Sequence, residues 1–507
     1  MFVTDSLRGP TTVQWKQLNP YDETPWSGEP CPSSHPDKLG AIARLFGLRP
    51  APAARCRVLE LGCAEGANLI PMAAVLPDSE FVGVDLSALQ ISSGQRDVAS
   101  QGLSNITLHL GDIAERVDRG TFDFVIAHGV FSWVGRPVQE GLLRTVRACL
   151  SPQGAAFISY SCLPGAYPRQ ALREMLLWQV RGEREPSVRI EKARRFAEFV
   201  AANASKRAPH AAALRRLVGE LGGMSDASVL HDYLSPVHEP LTLSAFCARA
   251  AEHRLQYLGD AQFHTMFAED LEPEVSATLR EGALDQVAFE QTLDFLAHRP
   301  FRTSLLCRAE HQLDRTLSWE RLDGLHFSSR ARVADRKDGL SMFRTRAGDP
   351  FGTDSALVGK ALEQLVTAWP RTREFGPLCR SARAAVDGQS ATSEDREVLG
   401  RNLLAAFAAN QVELGTSDRV IGDSVAVLPR VSSSARAQAT RGSPSATSLH
   451  HESVLLEPWH RALLPLLDGT RSRAELLGAM VAKHLTADAA GLEAQLEDLA
   501  SNAFLVA

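Results

Sequence analysis

The segment Val58-Leu59-Glu60-Leu61-Gly62-Cys63-Ala64-Glu65-Gly66, followed by Phe81-Val82-Gly83-Val84-Asp85, constrains this chain more than any other stretch. Each apolar run bounded by glycine predicts a buried strand, with a helix between the two. That order is the βαβ unit of a doubly wound parallel sheet. Its first turn brings backbone close to a ligand and aims a helix N-terminus at it. An acid closing the second strand can accept from a ribose diol.

The spacing narrows the ligand. It runs E-x-G-x-A-x-G, from Glu60 through Gly62 and Ala64 to Gly66, whereas a dinucleotide turn wants G-x-G-x-x-G. An acid at the strand end repels a pyrophosphate but suits an ammonium such as that of a methionine moiety. No Gly-Lys-Ser/Thr follows, which excludes a phosphate-binding P-loop. The turn resembles motif I of class I S-adenosylmethionine-dependent methyltransferases. The resemblance implies S-adenosyl-L-methionine as cofactor, with Glu60, Gly62, Cys63, Ala64 and Gly66 at its methionine end. Asp85 is then expected on the ribose hydroxyls, Asp112 on the adenine amino group and His128 beside the methyl-transfer centre. Asn68, Leu86, Gln90 and Ile113 complete the expected cofactor set.

Further along, strands and helices alternate with short connections. Strands are expected at Asn105–Leu110, Phe122–Ala127 and Ala155–Tyr160. A class I sheet needs two more, the last antiparallel, and Leu255–Leu258 and Thr303–Cys307 supply them. Residues 168–250 and 266–300 then become helical insertions over the ligand edge of the sheet. The fold class expected is α/β: a Rossmann-like, seven-stranded class I methyltransferase sheet with helical insertions, plus a mainly α C-terminal region of winged-helix-like modules. Those modules rest on two helix–helix–helix–strand units, Ser355–Gly415 and Ser453–Ala507.

The domains expected are 1–167 (N-terminal flap and cofactor-binding core) and 168–310 (regulatory insertion with the last two strands). They are followed by 311–430 (a middle winged-helix-like domain) and 453–507 (a C-terminal one). Residues 431–452, rich in Ser, Ala, Arg and Thr, read as a flexible linker between the last two. The helical modules are not especially basic, and the net charge is −6. Peptide binding or homodimer formation is therefore expected of them ahead of nucleic-acid binding.

Hydrophobic residues at 44% and charged residues at 22% are ordinary for a globular protein. Eight cysteines without C-x-x-C pairs suggest neither a disulfide framework nor a metal centre. Residues 1–20 do not read as a signal peptide, and no apolar run approaches the roughly 18 residues of a membrane helix. A cytoplasmic location is expected.

Two further segments carry chemistry. Tyr21-Asp22-Glu23-Thr24-Pro25-Trp26 and Ser33-Ser34-His35-Pro36 are expected to fold over the cofactor. His35, with Trp133 of Phe131-Ser132-Trp133, is expected to touch substrate. Of these, Tyr21-Asp22-Glu23, Ser34-His35-Pro36 and Phe131-Ser132-Trp133, with Asn68-Leu69-Ile70-Pro71-Met72, Ala127-His128-Gly129-Val130, Leu163-Pro164-Gly165 and His231-Asp232-Tyr233-Leu234, look like one bacterial family. It is that of methyltransferases carrying a methyltransferase regulatory domain, similar to the rickettsial-type lysine methyltransferases that modify outer-membrane protein B. The resemblance spans roughly residues 20–310, and Cys31 and Trp26 depart from it.

It implies methyl transfer to a protein or peptide nitrogen, lysine first. A methyltransferase for a small natural product or modified peptide precursor is the alternative, and a non-catalytic cofactor-binding regulator is another. A lysine acceptor adds a demand. With a pKa near 10.4, only about one amine in 10³ to 10⁴ is neutral at pH 7, a handicap of roughly 4–5 kcal/mol. The site must desolvate the amine or take its proton. His128, Tyr160 and Tyr21 are the candidates to orient or deprotonate it.

Overall fold

The computed structural model of the protein describes residues 22, 24–26, 28–115, 120–205, 211–268, 271–337, 339–418, 421–422, 426–485 and 488–506. Tyr21 and residues 1–20 therefore lie outside the described residues.

Seven strands form one sheet. They are β1 (Arg57–Leu61), β2 (Glu80–Asp85), β3 (Ile106–Leu110), β4 (Phe122–Ala127), β5 (Leu150–Ser161), β6 (Leu255–Asp260) and β7 (Phe301–Arg308), in the order β3-β2-β1-β4-β5-β7-β6. β1 to β5 pair in parallel, and β7 runs antiparallel between β5 and β6. Parallel strands covered on both faces read as continuous apolar runs, which is why this region is legible. Val58, Ile126 and Phe157 face one hydrophobic core, while Leu59, Ala127, Ile158 and Tyr160 face a second on the other side. The chain order reverses between β1 and β4, so a ligand crevice opens beyond their carboxyl ends.

Helices cover both faces. On the first lie α1 (Pro36–Leu45), α2 (Leu69–Val75) and α3 (Ala88–Gln101); on the second lie α4 (Arg136–Cys149) and Leu243–Glu252. Local chemistry sets their ends. Ser87 Oγ accepts from Gln90 N at 3.1 Å to cap α3, which stops at left-handed Gly102. The insertion after β5 packs Tyr167–Gln179, Pro186–Asn203 and Ala211–Gly222 around its own small core. Pro273–Gly282 and Gln286–Ala297 fill the gap before β7.

Beyond β7, the helices Ala356–Ala368, Phe375–Asp387 and Ser393–Ala408 follow the expected layout and lead into a strand at Glu413–Gly415. That strand pairs with His326–Ser328, and a three-stranded meander at Arg332–Lys337, Leu340–Arg344 and Pro350–Thr353 precedes the helices. Neither was anticipated. The core here is continuous with that of the sheet, bridged by the rings of Phe46, Phe263 and Phe407.

The expectation of a flexible linker at 431–452 is corrected. Ser432 caps a helix at Ser433–Thr440, accepting from Ala435 N at 3.2 Å, and Ser445–Thr447 pairs with Ser453–Leu455. Ala435 and Ala439 are buried, so the helix lies close against α2 and α3. A Ser/Ala-rich composition looked loose, but here the small side chains make a close-packing face.

Candidate active site

The turn after β1 takes a backbone path that few residues accept. Gly62, Ala64 and Gly66 have φ of 81°, 50° and 83°. At Gly62 a Cβ would stand 2.4 Å from Val130 Cγ2, so only glycine lets the turn close on the end of β4. Ala64 bears a left-handed conformation disfavoured by about 1–2 kcal/mol, and its N–H donates to Asp85 Oδ2 at 2.9 Å. Asp85 Oδ1 accepts from Ser87 N at 2.8 Å. One carboxylate thus ties two strand ends together, and each of its oxygens keeps a second lone pair for a hydroxyl. Burial raises its pKa. Asp112, past β3, accepts from Ala114 N at 2.8 Å through Oδ1.

Glu60 is the least satisfied acid of the group. It is buried, and Oε1 accepts from Asn68 Nδ2 at 2.9 Å while Oε2 has no partner. Burial lifts its pKa to about 7, against the opposing pull of Asn68 and of His128. A buried carboxylate oxygen without a donor is costly unless a ligand supplies one. The ammonium of a methionine moiety fits that need, and the turn residues present therefore suit S-adenosyl-L-methionine. Asn68 itself binds protein at every point: Nδ2 also donates to Ser34 Oγ at 3.1 Å, and Oδ1 accepts from Cys31 N at 2.9 Å. It holds Glu60 rather than a ligand.

His128 follows β4, half-buried. Ser159 Oγ lies 3.0 Å from its Nδ1 and accepts from Gly129 N at 2.8 Å. With that N–H on its oxygen, Ser159 Oγ still has a lone pair and a hydroxyl proton, so it pairs with Nδ1 in either imidazole tautomer. The Cys31 thiol lies beside the imidazole. Burial pushes the thiol up most strongly, but His128, Ser33 and the Ser34 backbone together bring it down to about 7. Burial likewise opposes charge on His128, yet Cys31 and Glu60 raise its pKa. Phe301, at the start of β7, meets the imidazole edge-on at 6.4 Å and stays 40% exposed.

Of the candidates to take an acceptor proton, Tyr160 is corrected. Side chains alternate along a strand, so Ser159 shares the face of His128 and Tyr160 points to the other. There its hydroxyl lies 3.0 Å from Ser304 Oγ and its ring stacks on Phe246 at 4.3 Å. His35 is corrected as a substrate contact: it is buried, and its Nδ1 caps α1 by accepting from Asp37 N at 3.2 Å. Gln90 donates through Nε2 to Trp26 O at 2.7 Å, tying the N-terminal segment down. Leu86 is 43% exposed and Ile113 is buried. Cys63 is buried against Gly83, where a Cβ would stand 2.6 Å from its sulfur.

The N-terminal segment does cross this edge. Asp22 accepts from Ser87 Oγ, Thr24 O accepts from His231 Nε2 at 2.7 Å, and Trp26 meets the His231 ring. Trp133 packs against the His238 ring at 4.4 Å, tilted by 31°, with the Arg173 guanidinium 5.1 Å from its ring centre. His238 Nδ1 donates to Gln170 Oε1 at 2.6 Å, and Nε2 accepts from Ser161 Oγ at 2.9 Å. Burial, then Arg173 and Arg169, push its pKa down to about 4. Trp133 is thus a braced wall. Sequence reasoning missed Ser159 and the pairing of Cys31 with His128. Strand alternation could have found Ser159, and Cys31 already stood out as a departure from the family pattern.

Comparison with known proteins agrees with this geometry. Residues 58–154 match a methyltransferase domain, residues 225–308 a predicted methyltransferase regulatory domain, and residues 428–501 the PKMT C-terminal winged helix domain. The last match includes the whole segment expected to be a linker. The uncharacterized protein RP789 of Rickettsia prowazekii is 36% identical over 302 residues, 59% of this chain and 54% of that protein. The chain therefore spans only about half the length of that relative. The uncharacterized protein RP028 of the same organism is 30% identical over 240 residues, 47% of this chain and 96% of that protein. The structure of PKMT2 from Rickettsia typhi in complex with AdoHcy shares the fold, with a TM-score of 0.84 at 24% identity over 95% of this chain and 100% of that one. Among the described residues, no helix is long and apolar enough to cross a membrane. This chain belongs to one family with RP028, and its own residues 58–154 and 225–308 carry the methyltransferase domain and the predicted methyltransferase regulatory domain.

Proposed function

We propose that the chain transfers a methyl group from S-adenosyl-L-methionine to a nitrogen of a protein or peptide, with lysine as the acceptor. The observation that carries this reading is a pair at adjacent strand ends: the unsatisfied Glu60 Oε2 and the imidazole of His128, braced by Ser159. When bound, the cofactor supplies an electrophilic methyl group on a sulfonium. Glu60 accepts the ammonium, Asp85 and Asp112 hold the ribose and adenine ends, and Gly62, Ala64 and Gly66 keep the backbone close.

On the acceptor side, the exposed Phe301 ring beside His128 offers an apolar flank that desolvates an amine and lowers its pKa. His128, partnered by Cys31, accepts or orients the proton the amine must lose. Trp133, with His238 behind it, walls the same edge. The likeness of the C-terminal region to a PKMT winged helix and the shared fold of PKMT2 support a protein acceptor over a small metabolite.

Radiolabelled methyl transfer from S-adenosyl-L-methionine into a protein extract is the test. Label is expected in macromolecules and on lysine after hydrolysis; label confined to the small-molecule fraction would overturn the acceptor class. In the same assay His128→Ala is expected to lower turnover at saturating cofactor by about 10²-fold and to leave cofactor affinity within about threefold. Lost affinity with unchanged turnover would remove His128 from the transfer step.

A further inference from the structure

Asn68, which holds Glu60, has one partner from far along the chain. His451 Nε2 lies 2.8 Å from Asn68 Oδ1. The amide orientation is set by the Cys31 N–H, a donor only, so Oδ1 is the atom facing both Cys31 and His451. His451 Nε2 therefore donates.

His451 is 3% exposed and sits in the tight turn between Ser445–Thr447 and Ser453–Leu455, with a φ of 63° that non-glycine residues seldom adopt. The turn is gripped on both sides of it. His450 stacks on Trp369 at 4.3 Å and donates to Pro370 O at 2.9 Å. Glu452 accepts two bonds of 2.6 Å from Arg330, whose guanidinium lies 4.5 Å over the same Trp369 ring. Leu449 N donates to Ala503 O at 2.8 Å, and the Leu449 side chain joins Ile421 and Ala503 in a cluster that Val75 of α2 packs against. Three consecutive side chains thus reach into two other parts of the molecule, and the middle one ends at the cofactor turn.

We propose that His451 is a positioning residue of the methyl-donor site, delivered by the C-terminal winged-helix module. It fixes Asn68 and, through it, the Glu60 carboxylate. The module then completes the donor site. This rests on the reading of Glu60 as the partner of the cofactor ammonium. A partner or substrate that displaces the 448–452 turn would loosen Glu60, so occupancy of the module and affinity for the donor are linked.

Calorimetric titration of S-adenosyl-L-homocysteine into the full chain tests this, with thermal unfolding of each variant measured alongside. Glu60→Gln is expected to bind at least tenfold more weakly. His451→Phe, which keeps the bulk and removes the donor, is expected to lose about tenfold in affinity at an unchanged melting temperature. His451→Gln, which restores an N–H, is expected to recover most of that loss. In the double variant with Glu60→Gln, His451→Phe should add almost nothing, because both act through one carboxylate. Wild-type binding by Glu60→Gln would sink the reading of the site itself. Weak binding by Glu60→Gln beside wild-type binding by His451→Phe would overturn only the positioning role. So would a loss that tracks a fall in melting temperature and is not recovered by Gln.

Discussion

Two buried polar clusters lie on the same sheet and behave oppositely. Arg302 on β7 is fully buried and donates to Tyr257 Oη, Asp260, Glu290 and Asp294 at 2.8–3.2 Å. Asp294 takes Arg299 as well, Glu290 Oε1 takes Gln286, and Asp260 takes Thr303 and Gln262. Each of those acids is partnered within the fold. Around Glu60 the donors fall short, and Oε2 is left alone. The contrast separates two uses of buried charge. A closed network fastens the antiparallel β7 and the helix Gln286–Ala297 to the sheet, whereas an open one leaves an oxygen for a cationic ligand.

Breaking the closed network should give the largest effect. Arg302→Met leaves the buried Asp260 and Glu290 without a cation and Asp294 with Arg299 alone, and is expected to cost about 3–5 kcal/mol of folding stability, read from the denaturant midpoint. An unchanged midpoint would mean that the cluster fastens nothing. Glu60 should respond to pH instead. Its folded pKa near 7 lies above an unfolded value of about 4.3, so the folded state holds the extra proton between those limits. Stability from this group is complete below about pH 4 and is lost as pH rises through 7, by about 4 kcal/mol. Glu60→Gln should flatten that slope. Because the cation needs the ionised form, donor affinity should rise with pH over the same window in the wild type only. A slope unchanged by the substitution would show that Glu60 does not carry this titration.

The smallest effect sharpens the boundary between the two clusters, which runs between neighbours on β5. Tyr160 faces the Arg302 side, and Tyr160→Phe should cost about 1 kcal/mol with turnover within twofold of wild type. Ser159→Ala should do the reverse, lowering turnover several-fold with little change in unfolding. Equal turnover losses in both variants would show that strand alternation does not divide the site as described.

Much of the sheet was legible because buried parallel strands announce themselves as apolar runs, and the acids at their ends follow from that register. Alternation within a strand is as available as the runs themselves, and it sets Ser159, not Tyr160, on the face of His128. His35 shows a different difficulty: a histidine before proline serves equally as a ligand contact and as a helix cap, and here Asp37 N takes its Nδ1. The meander at 332–353 is short and partly exposed, so its signal was weak. The segment 431–452 misled through composition, since small residues serve both loose linkers and close-packed helix faces.

Local sequence suffices for the Gly62–Gly66 turn, the strands around it and the methyl-donor class, because backbone torsion, strand burial and the placing of Glu60 and Asp85 are local properties. Which groups meet those acids follows from the packing of segments distant along the chain. Asn68 and His451 are 383 positions apart, and no local pattern marks either for the other. Their contact exists because the buried face of the C-terminal module docks against α2 and α3. Docking of that kind depends on the summed shape and apolar area of many residues, while a turn depends on the torsion of a few.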